Sequence, residues 1–381
     1  MEKINYGRQS IIQEDIDAVV SVLKSDFLTQ GPSIDLFEKN FSTFVGSKYA
    51  VAVSSATAGL HLSAIALGLK KGDRVITTPI TFAASANCVR YLGCQVWLSD
   101  IDPDTYLMDL DKLSELISSK PKGFFKAVVA VNFGGLPLNL EKLSRIANEH
   151  NLFVIEDACH SPGAYFTNDK GVPIYSGSGK YSDLSVFSFH PVKHIASGEG
   201  GMITTNSEEL YHKIRLLRSH GINRTQNRIE GPWAYDMEAL GFNYRLTDFQ
   251  AALGNSQLKR NTENVKRRNE IADFYKSNFS DHLKFQKEIN NGLNAYHLFV
   301  IESEDRSGMY NYLKSHGIFC QIHYIPIHYL RYYQSFGYNE ADLKHSETYY
   351  SRCLSLPMYP SLTDSQLTKI VDLILTFNRG I

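Results

Sequence analysis

The chain has 381 residues, is 43% hydrophobic and 21% charged, and so has room for a large domain with a sizeable core plus a smaller one. Its formal net charge of −1 points to neither nucleic acid nor an anionic membrane as a partner. No apolar run approaches the roughly 18 residues of a membrane span, the opening Met-Glu-Lys-Ile-Asn-Tyr lacks the core of a signal peptide, and five cysteines without a Cys-x-x-Cys pair read as reduced thiols of a cytoplasmic protein.

In chain order, short apolar runs at Tyr49–Ser54, Arg74–Thr78, Gln95–Ser99, Ala127–Phe133, Leu152–Ile155, Leu184–Ser188 and Gly201–Thr205 predict strands. Several are almost wholly apolar, as strands covered on both faces are. Helical patterns at Thr57–Leu69, Phe82–Leu92, Leu110–Ser119 and Leu140–His150 separate them. This alternation predicts an α/β fold with a mostly parallel sheet. Sites in such sheets lie outside the carboxyl ends of the strands. Ser55, Thr81, Asp100, Asn132, Asp157 and Ser188 all fall at or near those ends, which suggests one pocket. After Gln250–Leu258 comes a charged helix, Lys259–Asn278, whose polar positions look solvent-facing and which links the two parts. A strand at Tyr296–Glu302, a helix at Arg306–His316, a strand at Phe319–Tyr324 and helices from about Leu343 predict a second α/β unit. Residues 1–255 are thus expected to form a large domain with an N-terminal arm, and 256–381 a small one. The 13 histidines are scattered without zinc-like spacing, so no metal site is expected.

Three elements carry candidate chemistry. The first is Val53-Ser-Ser-Ala-Thr-Ala-Gly59, a strand running into a helix. Small residues there let an anion approach unpaired first-turn N–H groups; an ordinary helix start capped by serine reads the same way. The second is Asp157. A carboxylate ending a buried strand needs a cation or several donors, and a protonated pyridine nitrogen would serve; so would a structural salt bridge or a helix cap. The third is Lys193, five residues after Ser188 and just before Gly198-Glu-Gly-Gly201. A lysine amine is a nucleophile only when unprotonated, and a serine beside glycines can hold a phosphate.

The chain resembles the pyridoxal-phosphate sugar aminotransferases of the DegT/DnrJ/EryC1/StrS family over nearly its whole length. The resemblance rests on Leu28-Thr-Gln-Gly31, Ser54-Ser-Ala-Thr-Ala-Gly59, Thr81-Phe82 with Asn87, Glu156-Asp-Ala-Cys-His160, Phe187-Ser-Phe-His-Pro-Val-Lys193, Gly198-Glu-Gly-Gly201 and Gly241-Phe-Asn-Tyr-Arg-Leu246. It implies a type I aminotransferase fold, pyridoxal 5'-phosphate as cofactor, and a homodimer with shared active sites. Lys193 would be the Schiff-base lysine and Asp157 the partner of the ring nitrogen. Phe82 would stack on the ring, with His160 near the ring oxygen. Ala56, Thr57 and Ser188 would hold the phosphate, and Asn243 would reach it from the neighbouring subunit. Thr29, His323 and Tyr324 are candidates for touching the sugar; the last two could equally be a packed strand end. Relatives with histidine at the lysine position run dehydrations, and lysine here implies transamination. Arg218-Ser-His-Gly-Ile222 and Gln321-Ile-His-Tyr-Ile-Pro326 look most like the branch that passes an amino group from L-glutamate to C4 of a UDP-linked 4-keto-6-deoxy-N-acetylhexosamine in pseudaminic acid synthesis. Sister enzymes take D-gluco 4-keto sugars or 4-keto pentoses. A non-catalytic binder on the same scaffold is the alternative from another class, although a binder would not need lysine, acid and phosphate elements together.

Overall fold

Seven of the predicted apolar runs pair into one sheet in the computed structural model, which describes residues 3–223, 231, 233–280, 282–289, 291–338 and 342–379. The strands are β1 (Tyr49–Val53), β2 (Arg74–Thr77), β3 (Gln95–Leu98), β4 (Ala127–Val131), β5 (Phe153–Asp157), β6 (Leu184–Ser188) and β7 (Gly201–Thr205). Their spatial order is β1-β7-β6-β5-β4-β2-β3. The five strands from β6 to β3 are parallel, and β7 runs antiparallel to both β6 and β1. Two reversals restore the direction, so β1, β5 and β6 end on the same edge. The register sets Asp157 beside Val131 on one side and Val186 on the other.

Every residue of β4 is buried, because helices cover both faces. Alternate strand residues supply two apolar layers. Val75, Ala127, Val129, Ile155 and Val186 face one, and Ile76, Val128, Ala130 and Val154 face the other. A third apolar cluster gathers Ile271, Tyr275, Phe299, Ile301, Leu354, Leu356, Ile370 and Ile374. It lies against an antiparallel sheet of β8 (Lys284–Phe285), β9 (Phe299–Glu302) and β10 (Cys353–Leu356). Ile4 belongs to this cluster, since Ile4–Asn5 pairs in parallel with Ile318–Phe319.

Some predicted elements differ, three of them as follows. The helix expected at Lys259–Asn278 spans Asn261–Phe279, and its polar residues are not all outside: Asn261 and Arg268 are buried. Val265, Ile271, Ala272, Tyr275 and Phe279 dock that helix onto apolar clusters, and the polar residues sharing their face go in with them. The strand expected at Phe319–Tyr324 pairs only over Ile318–Phe319, because its partner, Ile4–Asn5, offers two residues; an isolated bridge from Gln321 to Ser355 continues the contact. The helix expected from Phe82 begins at Ala84, which leaves Phe82 in the preceding turn. No helix among the described residues is long and apolar enough to cross a membrane.

Arg218, part of a segment that resembled the sugar-handling branch, has a structural partner. Its guanidinium donates to Glu38 Oε1 at 2.6 Å and to the Ala52 carbonyl at 2.8 Å, and both ends of the ion pair are nearly buried. Arg218→Ala would leave the Glu38 carboxylate buried without a cation, and is expected to cost about 3–5 kcal/mol. Denaturant unfolding of the variant measures this; a loss below about 1 kcal/mol would show the pair to be solvated and dispensable.

Candidate active site

A single cavity of about 380 Å³ opens at the carboxyl edge of β1, β5 and β6, and among its walls are Ala56, Thr57, Phe82, Asp157, His160, Ser188, Lys193, His323 and Tyr324. Lys193 sits in the loop after β6. That loop folds back through hydrogen bonds from Phe189 N to the Gly200 carbonyl and from Ser197 N to the Phe189 carbonyl, each 2.9 Å. Burial pushes the Lys193 amine down to about 8; the Asp157 carboxylate pulls it up, and Arg268 pushes it further down. At neutral pH about a tenth of such an amine is unprotonated, against roughly one part in three thousand for an ordinary lysine.

Asp157 is the last residue of β5 and is buried. Its carboxylate accepts a 2.6 Å hydrogen bond from Ser85 Oγ and a 3.2 Å one from Cys159 N. Ser85 Oγ lies 2.8 Å from Thr81 Oγ1. The single Ser85 proton goes to the carboxylate, so Thr81 is the donor of that second bond. Glu156, one residue earlier, points to the opposite face of the sheet, into a buried polar cluster with Ser185 Oγ, Gly177 N and Asn132.

At the far end of the cavity the helix Ala56–Ala66 begins. Ser55 caps it by accepting from Ala58 N at 3.1 Å, so the ordinary capping role is met. The N–H groups of Ala56 and Thr57 nevertheless have no acceptor among the described residues, and they line the cavity beside Ser188. Gly201 makes this approach possible: a Cβ there would lie 2.7 Å from Ala56 N. The result is an open cradle for an anion.

His160 is fixed in tautomer and orientation. Its Nδ1 accepts from Gly134 N at 3.3 Å, so the proton is on Nε2, 3.2 Å from the Tyr324 hydroxyl. Burial, with the Lys193 charge second, holds it well below the usual imidazole range, and it is neutral. His323 is buried with Nδ1 2.8 Å from Ser355 Oγ, and burial lowers it to about 3. Burial raises the Tyr324 hydroxyl. Phe82 is apolar yet 61% exposed at the cavity mouth, with its ring 6.1 Å from that of Tyr324.

Two of the six strand-end residues expected in this pocket lie elsewhere. Asn132 joins the Glu156 cluster and accepts from Leu138 N. Asp100 is held by Ser346, the His345 N–H and Lys112. Both are buried groups satisfied by protein donors, which is the commoner fate of a polar strand end. Thr29 and Asn243 are exposed on this chain outside the cavity, bridged to Thr247 and Ser219 respectively. Two cavity residues carry no local sequence signal. His297 sits in an apolar run, Ala295-Tyr-His-Leu-Phe299. Tyr6 is delivered by the Ile4–Asn5 pairing and by the hydrogen bond from Met358 N to its carbonyl.

One partly neutral amine, one carboxylate, one anion cradle and one exposed aromatic face around a small cavity fit a pyridine aldehyde carrying a phosphate. The comparisons agree with this. The profile of the DegT/DnrJ/EryC1/StrS aminotransferase family matches residues 9–375. The spore coat polysaccharide biosynthesis protein SpsC of Bacillus subtilis is 39% identical, over 98% of this chain and 97% of its own. A UDP-4-amino-4,6-dideoxy-N-acetyl-beta-L-altrosamine transaminase of Campylobacter jejuni is 36% identical, over 96% of each chain. Among solved structures, Helicobacter pylori PseC, an aminotransferase involved in the biosynthesis of pseudoaminic acid, superposes with a TM-score of 0.90 over 100% of both chains at 30% identity. Spr1654 of Streptococcus pneumoniae in its PLP form does so with a TM-score of 0.89 over 99% of both chains at 25% identity.

Only the unprotonated amine attacks a carbonyl. The rate at which the cofactor-free chain captures pyridoxal phosphate is therefore expected to rise with pH and reach half its maximum near 8, the value to which burial lowers Lys193. Stopped-flow absorbance across a pH series measures it. A midpoint in the ordinary lysine range would mean that the amine is solvated.

Proposed function

Because the chain belongs to the DegT/DnrJ/EryC1/StrS aminotransferase family and is a pyridoxal-phosphate-dependent sugar aminotransferase, we propose that it moves the amino group of L-glutamate to C4 of a UDP-linked 4-keto-6-deoxy-N-acetylhexosamine. The product would be UDP-4-amino-4,6-dideoxy-N-acetyl-β-L-altrosamine, the sugar named for the relative of 36% identity. The observation that carries the reading is the lowered amine of Lys193 sharing one cavity with the Asp157 carboxylate and the open Ala56–Thr57 cradle.

When bound, pyridoxal phosphate supplies a carbonyl that condenses with amines and a protonated ring that draws electrons from the neighbouring carbon. The residues divide the remaining work. Ala56 and Thr57 N–H and the Ser188 hydroxyl hold the phosphate, and Phe82 covers the ring. Asp157, oriented by Ser85, would hold the proton on the ring nitrogen. His160, neutral with its proton on Nε2, is a donor toward the ring oxygen. Lys193 would tether the cofactor, and its Nζ would be the group that takes a proton from the donor Cα and returns one. His323, Tyr324 and Thr29 are the candidates for the sugar.

Two chains complete each site in this reading, with Asn243 of the partner subunit reaching the phosphate. The exposed apolar residues Ile11, Ile16, Leu23, Phe27, Leu28 and Leu36, all within residues 11–36, support it, since clustered exposed apolar surface marks an interface. The five cysteines are free, which fits a reducing, cytoplasmic setting.

The deciding experiment supplies glutamate and a panel of 4-keto nucleotide sugars and identifies the product by mass and by the configuration at C4. A product without new nitrogen, or amination of D-gluco or pentose substrates only, would overturn the assignment. Asp157→Asn keeps the size and removes the charge; turnover is expected to fall roughly 10²-fold or more. Wild-type half-reaction rates in that variant would remove Asp157 from the ring nitrogen. Mixed under subunit exchange, inactive Lys193→Ala and Asn243→Ala chains should recover about one quarter of wild-type activity, because half the dimers are hybrids with one intact site. No recovery above the parents would place Asn243 outside the partner's site.

A further inference from the structure

The Lys193 amine has one hydrogen-bond partner among the described residues, and it is a group with no role so far: His297 Nε2, at 3.2 Å. His297 is buried, and its Nδ1 has no hydrogen-bond partner. Its ring is held from two sides. His160 lies 4.3 Å away between ring centroids and His194 5.9 Å. Its backbone is held by Arg268, a buried guanidinium that makes no ion pair among the described residues. Arg268 Nη1 donates instead to the carbonyls of Tyr296 and Met358, at 2.9 and 2.8 Å, and reaches that of His297 at 3.5 Å.

We propose that His297 is a positioning residue for Lys193: its Nε2–H donates to the lone pair of the neutral amine and holds that amine at the cavity wall until a carbonyl arrives. This rests on the reading of Lys193 as the cofactor-bearing lysine.

Two proton arrangements share the observed distance. In one, a charged amine donates to a bare Nε2, and the imidazole proton sits on Nδ1, a buried N–H without an acceptor. In the other, Nε2–H donates to a neutral amine and Nδ1 keeps only an unused lone pair. Orphaned buried donors are the rarer defect, which favours the second and makes it the arrangement of the amine above about pH 8. The surroundings agree. His160, His194, His297 and His323 are all held neutral by burial. The Cys159 thiol and Tyr324 hydroxyl are pushed up by burial and are neutral too. The amine therefore faces one carboxylate, Asp157, and one guanidinium, Arg268, whose effects oppose each other. A hydrogen bond made only by the neutral amine lowers its proton affinity, so removing the donor should raise it.

The test reads the amine without the cofactor. The cofactor-free chain is trace-labelled with acetic anhydride across a pH series, and the peptide carrying Lys193 is quantified by mass spectrometry. The wild-type midpoint is expected at about 8. His297→Met should raise it by about one pH unit, the worth of one neutral hydrogen bond. His297→Gln, whose amide N–H can take the place of Nε2–H, should restore it. Capture of pyridoxal phosphate at neutral pH should slow about tenfold in the methionine variant and recover at high pH; a loss from looser packing alone would persist at every pH. Should the methionine chain fail to keep the wild-type melting temperature, His297→Asn, whose amide stops short of the amine, replaces it. An unmoved midpoint in a folded variant without the donor, or a glutamine variant that behaves like methionine, overturns the proposal. Borohydride reduction of the wild-type holoenzyme separates the two readings: pyridoxyl mass on another lysine sinks the role of Lys193 itself and leaves the labelling result as a measure of the His297 contact.

Discussion

The site depends on keeping one amine out of water. A solvated lysine is almost wholly protonated at neutral pH and attacks nothing. Lys193 is carried by a short loop into a cavity whose walls include the neutral His160, His297 and His323, the tyrosines Tyr6 and Tyr324, and small residues. The cost of burying a positive charge there becomes a bias toward the free amine. Asp157 works against that bias and Arg268 with it. The role proposed for Asp157 at the ring nitrogen nonetheless requires an acid here, so the fold cannot simply leave it out. It tethers the carboxylate instead, by the bond from Ser85 and the backbone N–H of Cys159.

That cavity is a product of sheet geometry. Asp157 and Ser188 end neighbouring parallel strands, and Val53 ends a strand that two antiparallel steps bring back to the same direction. Acid, anion cradle and lysine loop therefore emerge on one edge without any long excursion of the chain. Gly201 lets β7 pass beneath the helix start that faces the anion. The remaining wall comes from the C-terminal part. Tyr324 meets His160, His297 meets Lys193, and the N-terminal arm places Tyr6 against His323 at 5.3 Å between ring centroids.

The relatives carry different names. SpsC and the altrosamine transaminase differ by only three points of identity to this chain, 39% against 36%. Overall likeness thus carries the reaction better than the sugar. Arg218 illustrates why a short matching segment is weak support for a substrate: its side chain holds Glu38 and Ala52 together and is not among the residues lining the cavity.

Much of this protein is legible in the linear order of its residues. Alternating apolar and helical runs specify the parallel sheet, because strand and helix periods are local properties of the chain. Lys193, Asp157, Ser188 and the Ala56–Thr57 turn stand out because each lies where a strand ends, next to small residues. Local pattern could not tell Asp157 from Asn132 and Asp100, which end their strands equally well. Which polar ends face a cavity, and which are satisfied by a neighbouring serine or lysine, follows only from the helices that cover them. His297, Tyr6 and Arg268 left no signal, since each sits in an ordinary apolar or charged run far along the chain from the lysine. Their positions come from packing: the docking of the helix Asn261–Phe279, the pairing of Ile4–Asn5 with Ile318–Phe319, and the approach of the segment before β9 to the lysine loop. The sequence alone determined the chemistry available at the strand ends. The tertiary structure decided which side chains share a water-poor space, because desolvation depends on every element that closes the cavity and not on any one of them.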